Sequence, residues 1–212
     1  MTPLSHKEFL LLRDKAEVIE ADNYGEKVLR LVDGNILKLF RRKRLLSSAV
    51  LYPYAQRFAD NASALQQRGI PCPRILNVYR IVAIQRDAVR YSPLPGRTLR
   101  QITDTHEKEI LRQLLGKFIA LLHDRGIYFR SLHLGNIVVT PEGELGLIDI
   151  ADLRAQRSAL GKTKRLRNFR HILRDPGDQD WLLDNKSDSF FESYLRHASL
   201  SWDVRELTQR LV

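Results

Sequence analysis

Apolar positions recur in two rhythms along this chain, and the change between them divides it. A short apolar run, Phe9-Leu10-Leu11-Leu12, predicts a helix at the start. Glu17-Val18-Ile19-Glu20 then alternates, and Val28-Leu29-Arg30-Leu31-Val32 and Ile36-Leu37-Lys38-Leu39-Phe40 follow with Asp33-Gly34 between them. An Asp-Gly pair between two apolar runs predicts a β-hairpin, because these residues accept the positive φ of a tight turn. Further on, Phe58, Ala62 and Leu65 lie on one face of a helix that tolerates Pro53 in its first turn and stops at Gly69. Pro71 and Pro73 force an extended path. Ile75 to Ile84 and Ala88 to Leu94 predict two more strands.

The second half is mostly helical in its spacing. Asp104 and Glu107 form a capping-box variant ahead of Leu111, Leu114, Leu115, Phe118 and Leu122, and Gly126 ends that helix. Ile137 to Val139 and Leu145 to Ile148, joined by Pro141-Glu142-Gly143-Glu144, predict a small hairpin. From Leu153 onward the spacing predicts helix to the end, with a break at Pro176-Gly177. The expected architecture is therefore α+β and two-lobed. Residues 1–92 form a small antiparallel-sheet lobe with one helix, 93–98 a connector, and 99–212 a mostly helical lobe. A cleft is expected at the connector, Ser92-Pro93-Leu94-Pro95-Gly96-Arg97.

Composition narrows the setting. A chain of 212 residues with 43% hydrophobic and 28% charged residues can bury a core, which excludes a disordered or collagenous chain. The single cysteine, Cys72, excludes an intrachain disulfide framework and fits a reducing compartment. No apolar stretch approaches the roughly 20 residues of a spanning helix. The expected location is the cytoplasm, or the inner face of the cytoplasmic membrane. A net charge of +10 favours acidic partners. Nucleic acid is an unsupported partner, because no helix-turn-helix, zinc finger or RNA-recognition signature is visible.

Candidate chemistry gathers around the second hairpin. Asn136 stands before its first strand and Asp149 ends its second, so antiparallel pairing brings an amide oxygen and a carboxylate to the same end. Oxygen donors of this kind suit magnesium. Taken alone, the pair reads more readily as a turn cap and a solvated aspartate than as a metal site. A basic tract, Arg154 to Arg174, reads either as a platform for phosphorylated sugar or anionic lipid, or as a solvated helix face. Asp152 either lies near the metal or caps the next helix.

The surroundings of that pair tip the balance. Phe129-Arg130-Ser131-Leu132-His133-Leu134-Gly135-Asn136, with Leu147-Ile148-Asp149, resembles the catalytic loop and metal-binding segment of the protein-kinase-like superfamily. Within it, Gly69-Ile70-Pro71-Cys72-Pro73-Arg74, Leu94-Pro95-Gly96-Arg97-Thr98-Leu99, Leu147 to Arg154 and Arg167-Asn168-x-Arg170-His171-x-Leu173 look most like the bacterial lipopolysaccharide kinases. These are the Kdo and heptose kinases, with the InaA and toluene-tolerance proteins as relatives.

The resemblance implies a protein-kinase-like fold, ATP and Mg2+. Lys38 would hold the nucleotide phosphates, and Asn136 and Asp149 the metal. Asn61 stands where a helix glutamate would pair with Lys38. Gly25 is the one glycine of the phosphate-covering segment Asp22 to Glu26. Ser131 replaces the aspartate that orients the acceptor hydroxyl, and restoring aspartate there is expected to raise activity. His133, two residues on, would face the transferred phosphate as imidazolium or accept a proton as imidazole. The implied acceptor is a Kdo or heptose hydroxyl of the lipopolysaccharide core or another phosphorylated glycolipid. Loss of the usual aspartate and glutamate favours the alternative, a pseudokinase acting as a nucleotide-binding or regulatory module without transfer.

Overall fold

A computed structural model describes residues 1–42, 52–183, 189–200, 202 and 207. Residues 43–51, and 184–188 with most of the last ten residues, the last two stretches read above as helix, lie outside the described residues. The chain divides into two compact units, 1–67 with 72–94, and 68–71 with 95–212.

The first unit is a six-stranded sheet with a helix on each face. Its strands are β1 (Thr2–Pro3), β2 (Glu17–Asp22), β3 (Gly25–Arg30), β4 (Ile36–Arg41), β5 (Arg74–Ile81) and β6 (Arg86–Ser92), in spatial order β1-β5-β6-β4-β3-β2. β1 runs parallel to β5 and every other pair is antiparallel. Alternation along β4 sends Leu37 and Leu39 to one side, where they meet Leu29, Ile81, Ala88 and Phe9 of α1 (His6–Arg13). Ile36, Lys38 and Phe40 face the other side. There Phe58 of α2 (Tyr54–Gln66) stacks on Tyr91 at 5.1 Å and lies 6.4 Å from Phe40. The outer strand β2 is exposed throughout and paired through charge, Glu17 with Arg30 and Glu20 with Lys27. Charges on an exposed edge discourage pairing with another chain.

The second unit is built on the 20-residue helix α3 (Thr105–Asp124), whose N-cap Asp104 accepts the Glu107 amide at 2.7 Å. Two small sheets flank it. β7 (Arg97–Thr98), β9 (Ile137–Val139) and β10 (Leu145–Leu147) form one, and β8 (Ile127–Phe129) with β11 (Leu153–Ala155) the other. Gly96 is required at the entry to the first. Its φ is +130°, and a Cβ there would collide with the Val139 carbonyl. Among the described residues, α4 (Lys162–Ile172), α5 (Pro176–Leu182) and α6 (Ser189–His197) complete the unit.

Two expectations need correction here. Helix does not begin at Leu153, because Leu153 to Ala155 pair antiparallel with Phe129 to Ile127. The break expected at Pro176-Gly177 does occur but lies just ahead of them, at 173–175, so Pro176 starts a helix rather than ending one. It opens α5 at its first position, with Asp175 capping the amides of Gly177 and Asp178.

Candidate active site

The hairpin β9–β10 sets the geometry of the second unit's site. Its ladder pairs Ile137 with Leu147, and the Ile148 amide donates to the Asn136 carbonyl at 3.0 Å. That extra rung holds Asn136 and Asp149 at one end of the hairpin. Asn136 is buried, and its Nδ2 donates to the Ser131 carbonyl at 2.9 Å. An amide with its nitrogen so committed turns its oxygen, the atom a hard cation wants, to its other side. Asp149 is exposed and adopts a left-handed backbone, φ 51° and ψ 47°. Aspartate is among the few non-glycine residues that tolerate it, and such outliers concentrate at functional sites.

The loop from Ser131 to Asn136 closes on itself and on its neighbours. The Asn136 amide donates to the His133 carbonyl at 2.9 Å. Ser131 Oγ donates to Asp152 Oδ2 at 2.7 Å, so Asp152 caps no helix. His133 is half-buried and its Nδ1 is buried with no partner. Desolvation and then the nearby Arg100 guanidinium hold its pKa below the usual histidine value, against the upward pull of Asp178, Asp149 and Asp175. Of the two forms the sequence left open, neutral imidazole is therefore the one favoured near pH 7.

Sequence reasoning missed what fixes this loop. Arg100 grips Asp178 with two bonds, Nε to Oδ1 at 2.7 Å and Nη2 to Oδ2 at 2.9 Å. Asp178, itself buried, also accepts the Leu134 amide at 2.9 Å. The start of the loop is held from inside. Asn168 Nδ2 donates to the Phe129 carbonyl at 2.6 Å, and its Oδ1 accepts the Phe129 amide at 3.4 Å. The same oxygen accepts from His123 Nε2, whose Nδ1 meets the Tyr194 hydroxyl at 3.0 Å. Tyr194 in turn accepts from Arg165, which is fully buried and donates to Asp124 at 2.6 Å. Arg165 thus leaves the basic tract and joins the core. Arg154, Arg157, Arg167, Arg170 and Arg174 are exposed.

The first unit holds the remaining candidates. Lys38 lies at the centre of β4, opposite Val28 and Val89, with its ammonium 5.9 Å from the Phe40 ring centre. Asn61 is buried on the α2 stripe of Phe58, Ala62 and Leu65. That stripe packs on the sheet face carrying Lys38, so both residues belong to one side of the sheet. Gly25, φ +106°, follows the two-residue turn Asn23-Tyr24, in which Asp22 accepts the Tyr24 amide at 2.8 Å.

The donor set of the second unit fits magnesium and a nucleotide in part. Among the described residues no three of His, Cys, Asp and Glu gather to hold a metal. Asn136 and Asp149 would supply two oxygens, and a nucleotide's own phosphates the rest, as is usual for this ion. Among the described residues no helix is long and apolar enough to cross a membrane.

A six-stranded sheet with a capping helix, followed by a helical unit carrying this loop and hairpin, is the fold of the kinase-like phosphotransferases. The chain is similar to the solved structure described as the crystal structure of aminoglycoside-3'-phosphotransferase of type VIII, with a TM-score of 0.65. The match covers 93% of this chain and 92% of that one at 17% identity. No protein-family model matches, and no curated protein matches.

Proposed function

We propose that the protein is an ATP-dependent phosphotransferase acting on a sugar hydroxyl, with a Kdo or heptose of the lipopolysaccharide core as the acceptor class. One observation carries the reading. Asn136 and Asp149 stand at one end of a hairpin whose fixed loop also presents Ser131, within a phosphotransferase fold. Magnesium bound with the nucleotide would neutralise charge on the phosphates during transfer. Lys38 would hold phosphate oxygens. Asn136 and Asp149 would hold magnesium with the nucleotide. Ser131 aligns the acceptor hydroxyl, and the neutral His133 lines the same loop without adding a fixed charge. The motifs at 69–74, 94–99, 147–154 and 167–173 support the acceptor class, and the exposed arginines of the basic tract suit a phosphorylated glycolipid.

The test is stability with ligand. ATP with magnesium binding only the folded state raises the melting temperature. Asp149→Asn keeps a residue that tolerates the left-handed backbone but removes a charged oxygen, and the magnesium-dependent part of the rise should disappear. No rise at millimolar ATP and magnesium would sink the proposal. Transfer of labelled γ-phosphate to Kdo- or heptose-containing core then tests the acceptor.

A second reading has its own support. Ser131 and Asn61 stand where transfer usually relies on carboxylates, which suits a nucleotide-binding module in envelope biogenesis. A nucleotide-induced rise without transfer to any sugar or to water would favour it.

A further inference from the structure

Ser131 has one hydroxyl proton, and it points at Asp152 Oδ2, 2.7 Å away. A hydroxyl engaged in this way shows only lone pairs to a third group. Whatever approaches Oγ must bring its own proton, as an acceptor hydroxyl or a water does. Asp152 reaches this place through the pairing of β11 with β8. Leu153 lies opposite Phe129. One step further along the antiparallel register sets Asp152 beside Arg130, and Ser131 is the next residue. The other carboxylate oxygen, Oδ1, is buried with no partner. Burying a polar oxygen unsatisfied costs about 1–3 kcal/mol, more when it is charged. Tying down Ser131 uses only Oδ2, so that contact does not account for the second, buried oxygen. His133, the other candidate, has its own Nδ1 buried without a partner.

Building on the phosphotransferase reading, we propose that Asp152 supplies the carboxylate the catalytic loop lacks, aiming Ser131 at the acceptor and taking up the acceptor's proton through it. As the acceptor oxygen bonds to the γ-phosphorus, the bond from that phosphorus to the β-phosphate bridging oxygen breaks, and its electron pair leaves on ADP. The acceptor's proton passes to Ser131 Oγ while the Ser131 proton passes to Asp152 Oδ2. Ser131 ends as it began, a neutral hydroxyl, and Asp152 ends as a neutral acid. Asp152 is thus a positioning residue, because it meets the acceptor only through Ser131.

The experiment follows phosphate release from ATP and magnesium, with water as the acceptor, beside the melting temperature with and without nucleotide. Asp152→Asn keeps the shape of the side chain and an oxygen for the Ser131 hydroxyl, so a merely structural role would survive it. The expected result is an unchanged nucleotide-induced rise in melting temperature, an unchanged KM for ATP, and a kcat lower by about 10²–10⁴-fold, the usual worth of general-base help. Ser131→Asp combined with Asp152→Asn moves the carboxylate onto the loop and should recover most of the lost rate. Ser131→Asp alone sets two carboxylates in contact and should melt below wild type, whereas the double variant should not. Phosphate release by Asp152→Asn at the wild-type rate overturns the proposal, as does a double variant no faster than Asp152→Asn. A wild type stabilised by nucleotide that releases no phosphate overturns it too, while leaving nucleotide binding intact. Absence of any stabilisation by nucleotide brings down the phosphotransferase reading itself.

Discussion

His123 sits fully buried between Tyr194 and Asn168, with the Arg165 guanidinium nearby. Desolvation, reinforced by Arg165, pushes its pKa down to about 3. An unfolded histidine takes a proton below about pH 6.5. Between these limits unfolding binds a proton that the folded protein refuses, so stability falls as the pH drops. His123 contributes in full above about 6.5 and loses up to about 1.4 kcal/mol per pH unit below it. Urea midpoints from pH 7 to 4 should show that slope, and His123→Gln should flatten it. Arg165 is a second single-residue test. Arg165→Met leaves Asp124 without its buried cation and should cost about 3–5 kcal/mol, measured by denaturant unfolding. The sequence held a signal for this that a count of charges hides. Positions 165, 168, 169 and 172 follow the spacing of a buried helical stripe, and all four are buried. Asp152 offered no such signal, because its partner lies 21 residues away.

Among the elements, local chemistry decided what could be read in advance. Asp33-Gly34 and Pro141 to Glu144 announce hairpins through their own turn residues, and Gly34 and Gly143 have the positive φ such turns need. Asp104 announces α3 through its cap. β11 carries no comparable mark. Leu153-Arg154-Ala155 is too short to show alternation, and only its ladder with β8 makes it a strand. Missing that strand hides the contact between Ser131 and Asp152. With that contact in place, Ser131→Asp sets a second carboxylate against Asp152. The packing of α3 on α6 is tested at Gly116. A Cβ there would overlap the Phe190 carbonyl and lie 2.8 Å from Ser193 Cβ, at a contact where Ser193 Oγ donates to the Gln113 carbonyl. Gly116→Ala should therefore destabilise by about 1–3 kcal/mol, seen as a lower denaturant midpoint with an unchanged slope.

Across the whole molecule the net charge of +10 remains the broadest clue to a partner. The basic tract is thinner than its sequence suggests, since Arg165 is buried, Lys164 bonds to Gln156 and Lys162 lies 5.3 Å from the Trp202 ring centre. If the exposed part meets an anionic surface, vesicle binding should weaken with salt, over a Debye length of about 8 Å at physiological ionic strength. Arg157, Arg167 and Arg174 changed together to glutamate should weaken it further in a co-sedimentation assay. Equal binding by wild type and variant would show an ordinary solvated face. The Arg100–Asp178 clamp has a consequence of a different kind, in time. The Leu134 amide depends on a carboxylate 44 residues further along the chain. During synthesis the loop emerges before the group that shapes it, so a chain stopped short of α5 has every residue from Ser131 to Asn136 and lacks the carboxylate that accepts that amide. Hydrogen exchange at Leu134 should therefore report the docking of α5, slow in the finished protein and fast in Asp178→Ala. The loop takes its final shape only once the helix behind it has arrived.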